Sequence, residues 1–168
     1  MIFVLIQHVR CPSIIARYYQ AFYMPIFFWT SGYLFHGYKY DFKHFIMQKF
    51  RTLIIPYFIV GFFHYIIWLF IYGDLDDLSH NFIPLKSLLI FPTDGNLPIA
   101  KALWLLVVTF VSQMILFILY KMFDSRKLFI SIIVCIILGG IYSLYLENVR
   151  LIWGLDSSLV VEGIIYFG

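Results

Sequence analysis

Four apolar runs, each near the length of a bilayer-spanning helix and bounded by charged residues, limit this chain more than any other feature of its sequence. A helix rises about 1.5 Å per residue, so crossing a hydrocarbon core of about 30 Å takes about 20 mostly apolar residues. Leu53 to Tyr72, Ala102 to Tyr120 and Leu128 to Leu146 meet that length, and Ala21 to Tyr38 is a shorter, more polar fourth. Two incomplete runs flank them: Met1 to Val9, which as helix would extend only about 14 Å, and Leu159 to Gly168, which stops in mid-run. Because backbone groups in lipid must be satisfied within the segment, the pattern predicts an all-α, polytopic bundle of transmembrane helices. It would have about four full spans, a partial first and a partial last one, so residues 1–168 read as one partial membrane domain truncated at both ends.

Composition agrees. The chain is 62% hydrophobic and 12% charged, against about 45–50% and 25% in soluble domains. Its 19 Phe, 13 Tyr and 4 Trp suit lipid-facing surfaces and interfacial belts. A net charge of +3 spread over several loops lacks the clustered basic face that nucleic-acid binding requires. Cys11 and Cys135 offer neither a metal spacing nor an evident pairing. No basic stretch precedes the N-terminal apolar residues and no small-residue cleavage site follows them, so a secretory signal is not indicated.

Orientation follows from the loops, since short cytoplasmic loops are enriched in Lys and Arg. Lys39, Lys43, Lys49 and Arg51 oppose only Asp41, and the turn Lys121 to Lys127 is also basic, which places both in the cytoplasm. Residues 73 to 100, with Asp74, Asp76, Asp77 and Asp94 against Lys86, and with prolines and glycines that break any long helix, belong outside. Residues 147 to 158 follow them there, where Asp156, Ser157 and Ser158 offer N-cap oxygens for the last helix. Arg10 and Arg17 in the first loop point mildly the other way.

Ionisable groups at membrane depth are costly and by default functional. His8 lies at the outer end of the first span, His64 inside the third, and Glu162 in the last. From spacing alone, a lone His at a helix end is more often an interfacial side chain with a water or backbone partner. His64 reads as a packing or helix–helix hydrogen-bonding residue. Glu162 is either inward-facing and functional or interfacial, and spacing leaves both open. No nucleophile elbow, phosphate loop, HExxH or paired metal ligands occur.

Read in order, "VLIQHVR", "FYMPIFFWTSGYLF", "FIMQKFRTLIIPYFIVG", "ALWLLVVTF" and "LDSSLVVEGIIYFG" resemble the integral-membrane acyltransferase 3 family, which includes polysaccharide O-acetyltransferases and fucose acetylase-like proteins. The likeness covers nearly the whole chain and rests on the order and spacing of the pieces. It implies transfer of an acyl group, usually acetyl, from cytoplasmic acyl-CoA to a hydroxyl of a sugar or polysaccharide at the outer face of a bacterial inner membrane. Acetyl-CoA would be a donor substrate, with no tightly bound cofactor and no metal.

On this resemblance the family's first-span histidine falls on His8, as general base toward the acceptor hydroxyl or relay for the acyl group. An imidazole with an ordinary pKa of about 6.5 can take a hydroxyl proton at physiological pH. The segment Phe22 to Phe35 would line a polar cavity. Pro25 bends or starts its helix, Gly32 permits close backbone approach, and Thr30 and Ser31 re-satisfy freed backbone groups. Tyr23, which stands where the family often has a second histidine, belongs to the same candidate set; a kinked packing helix explains the same residues. Lys43, Lys49 and Arg51 would meet CoA phosphates, Arg bidentately and Lys as a point charge, although positive-inside topology also explains them. Trp104 matches the family's Trp at the start of the fourth span and reads as an interfacial anchor.

Three departures bear on activity. Met1 comes too late to include the arginine that usually precedes the histidine; Thr52 stands where an arginine is usual, with Arg51 one position away; and the family has more spans than this chain. The resemblance therefore implies an inactive fragment. The alternative is a non-catalytic membrane protein, such as a flippase or transporter fragment or a truncated remnant. A transporter would show paired charges or broken helices in matching halves, and only the Pro25 to Gly32 irregularity is present.

Overall fold

The computed structural model describes residues 13–73, 78–94, 101–145 and 151–168. Among the described residues there are six helices and no strand: α1 (Ser13–Tyr33), α2 (Phe42–Tyr72), α3 (Leu78–Leu89), α4 (Trp104–Met122), α5 (Ser125–Tyr145) and α6 (Leu155–Phe167). Short 3-10 turns at Gly37–Lys39, Lys101–Leu103 and Ile152–Gly154 lead into α2, α4 and α6. Helices α2, α4 and α5 are long and apolar enough to cross a membrane, and the chain is an all-α integral membrane protein.

Of the three span-length helices, α2 and α5 begin before their apolar runs, at Phe42 and Ser125, and α4 begins inside its run, at Trp104. α2 has 31 residues, about 46 Å of helix, so its basic first third extends beyond the hydrocarbon. Within it Phe50–Ile54 forms a π turn, in which Ile55 N–H reaches back to the Phe50 carbonyl. The cause lies just downstream. Pro56 has no N–H to give and its ring crowds the carbonyl four residues back, which belongs to Thr52. The Thr52 hydroxyl in turn donates to the carbonyls of Gln48 (3.0 Å) and Lys49 (3.3 Å).

Pro25 sits inside α1 rather than at its start. The expectation that Thr30 repairs the proline gap is corrected. Thr30 Oγ1 donates to the Ile26 carbonyl at 2.7 Å, whereas the carbonyl that Pro25 cannot serve is the one four residues before it, at Ala21. Helix α3 fills only 12 residues of the stretch where no long helix was expected, and it runs through Pro84. It is held from outside: Tyr57 OH donates to the Leu88 carbonyl at 2.5 Å, and Tyr65 OH donates to the Asn81 carbonyl at 3.1 Å, in the turn before the proline.

Helix α4 is central, burying Leu105, Val107, Val108, Thr109, Ser112, Gln113, Leu116 and Phe117. Helix α6 packs against α1, α4 and α5. Small residues allow the close approach: a Cβ on Gly32 of α1 would run into the carbonyl oxygen of Ile165, and one on Gly139 of α5 would meet Leu159 and Val160 at under 3 Å. The N-cap expected from Asp156, Ser157 and Ser158 does not form. Gly154, at φ 65°, caps α6 without a side-chain bond, and Ser158 Oγ instead donates back to the Gly154 carbonyl at 2.8 Å. Trp153 beside it also takes a positive φ of 58°, held by its backbone N–H to the Ile90 carbonyl (3.0 Å) and its indole N–H to the Leu89 carbonyl (3.1 Å).

Candidate functional site

Most side chains of a bundle in lipid can be apolar on every face, so polar groups inside it mark the places where packing alone does not explain the sequence. Such groups gather where α1, α4 and α6 meet. Gln113 of α4 donates from Nε2 to the Ser31 hydroxyl at 2.6 Å and to the Ser31 carbonyl at 3.1 Å. Ser112, the neighbouring residue, donates to the Ser158 carbonyl at 3.2 Å. On α6, Ser158, Glu162 and Ile165 recur at the spacing of one helical face. Glu162 stands one turn beyond Ser158 on the same helix.

Glu162 is completely buried, and neither carboxylate oxygen has a hydrogen-bond partner. The Gln113 Oε1 is likewise buried without one. Burying an unpaired carboxylate costs far more than burying a satisfied amide, so the buried faces of α4 and α6 carry a surplus of acceptors. Chemically, it suits a group that brings its own proton, such as a hydroxyl.

The basic end of the bundle is built differently. Phe45 of α2 and Phe117 of α4 stack at 4.6 Å between ring centroids and 16° between planes. Lys49 Nζ lies 5.4 Å from the Phe45 ring and Lys121 Nζ 5.6 Å from the Phe117 ring, within cation–π range. The stack joins the two basic segments that the charge pattern assigned to one side.

Of the residues singled out from sequence, Ser31 and Gly32 are in the α1–α4–α6 seam. Pro25 is on the exposed face of α1, and Trp104 opens α4 beside Phe28, with ring centroids 6.4 Å apart. Lys49 is half-buried in the aromatic stack, while Lys43 and Arg51 are exposed, Arg51 within the π turn. Inside α2, His64 bonds the Val60 carbonyl through Nδ1 at 2.8 Å. His8 lies outside the described residues, as does the side chain of Tyr23. Sequence reasoning missed Gln113, a long amide in mid-span and the one signal available for it, and left Glu162 undecided. Burial settles that Glu162 faces inward.

The acyltransferase 3 family model, an acyltransferase domain, matches residues 3–167. No curated protein and no solved structure matches the chain.

Proposed function

From the premise that this chain belongs to the acyltransferase 3 family, we propose that it transfers an acyl group, acetyl in the first instance, from acyl-CoA to a hydroxyl of a cell-surface sugar or polysaccharide across a bacterial cell membrane. The observation that carries this reading is the match over nearly the whole chain. His8 takes the proton of the acceptor hydroxyl as its oxygen attacks the thioester carbonyl; the C–S bond breaks, and the proton passes to the departing CoA thiolate. Lys49 and Arg51 meet the donor's phosphates from the basic end. The Ser31–Gln113 pair and the buried carboxyl of Glu162 support handling of a hydroxyl within the bundle.

The test is glycan acetylation in cells producing the protein with the full set of spans of its family, with His8 or with Ala in its place, and with membrane insertion checked in both. General-base assistance is worth about 10²–10⁴-fold, so His8→Ala should remove acetylation. Acetylation that survives the change would refute the mechanism, and an inserted chain that transfers no acyl group with His8 intact would favour a non-catalytic role.

A further inference from the structure

Between the two basic segments, at the same end as the lysine-flanked ring stack, lies a cavity of about 330 Å³ lined by Asp41, Phe42, Phe117, Ile118, Lys121 and Met122. It joins the start of α2 to the end of α4, and Lys121 is the cation in its lining. Its size is at the lower end for small-molecule sites, enough for a nucleoside and too small for an entire acyl-CoA. Its lining is also selective. Phe42 offers a half-exposed ring 5.8 Å from Phe117, Asp41 a carboxylate that makes no cap bond to its own helix, and Lys121 an ammonium held over Phe117.

We propose that this cavity holds the adenosine 3′,5′-bisphosphate head of the acyl donor, with the purine on Phe42, its exocyclic amine donating to Asp41 and a phosphate on Lys121. The proposal rests on the acyl-CoA reading above and adds to it a site on α4. A purine presents a flat π face and an N–H donor, and the donor's 3′-phosphate monoester is close to dianionic near neutral pH; the cavity supplies an aromatic face, an acceptor and a cation. An apolar lipid tail would find Phe42, Ile118 and Met122 suitable but no use for Asp41.

The test uses the full chain in nanodiscs of zwitterionic lipid, titrated with CoA, with adenosine 3′,5′-bisphosphate and with pantetheine. The bisphosphate should bind and compete with CoA. Phe42→Ala and Lys121→Ala should each weaken it about tenfold, Phe42→Trp should restore it, and Arg126→Ala, outside the cavity, should leave it close to unchanged. CoA binding that is indifferent to Phe42 and Lys121 would overturn this site while leaving the donor reading intact. Binding of pantetheine but not the bisphosphate would overturn it too, and an absence of CoA binding would remove both.

Discussion

At the scale of single residues, Glu162 is the side chain hardest to account for by folding alone. It is wholly buried with both oxygens unpartnered, on a face where a Leu of similar volume would remove the desolvation cost without opening a cavity. Replacing a buried unsatisfied polar group by an apolar one of the same shape is neutral or stabilising. Glu162→Leu should therefore raise stability in detergent by about 1–3 kcal/mol, read from thermal unfolding, while lowering acyl transfer; Glu162→Gln keeps the shape and distinguishes loss of the carboxyl from loss of packing. Should Glu162→Leu unfold more readily than the parent, the carboxyl has a partner and the acceptor-surplus argument fails. Gly32 makes the complementary point. Its value lies in what it lacks, since any Cβ there collides with the Ile165 backbone.

At the scale of elements, the sequence reveals long apolar helices and conceals how they face one another. α2, α4 and α5 were legible because length and hydropathy define them. The polar first half of α1 was not, because Arg17, Gln20 and three tyrosines before Met24 interrupt the apolar pattern that marks a span. Nor was the continuity of α3 through Pro84, which depends on hydroxyls donated by α2. Gln113 was passed over for a different reason. In lipid the outer face of a helix is as apolar as the inner one, so periodicity no longer says which side is buried. Its bonds to Ser31 tie α1 to α4, and that coupling is measurable. In a double-mutant cycle of Ser31→Ala and Gln113→Leu, unfolding free energies should depart from additivity by about 0.5–1.5 kcal/mol; strictly additive effects would mean that the two side chains act independently.

For the molecule as a whole, the helices gather the Lys- and Arg-rich segments at one end, and this predicts how the chain lies in the membrane. The Phe42 end of α2 and the Lys121 end of α4 share one cavity, with Arg126 and Lys127 at the adjoining start of α5. At the other end Trp153 is bonded to the last turn of α3, beside Asp94, which accepts from Ser87 at 2.6 Å. One end is therefore rich in Lys and Arg and the other is not, and positive-inside orientation puts the first in the cytoplasm. The same orientation is needed if an acyl donor made in the cytoplasm is to reach Lys49 and Lys121. Both conclusions stand or fall on one labelling experiment. With Cys11 and Cys135 replaced by Ser, single cysteines at Asp124, in the α4–α5 turn, and at His80, an exposed position of α3, are treated in whole cells with a membrane-impermeant thiol reagent. His80→Cys should label directly and Asp124→Cys only after permeabilisation. The reverse pattern would place the lysine-flanked cavity on the outer face, where acyl-CoA is not supplied, and would dismiss the donor site together with the orientation.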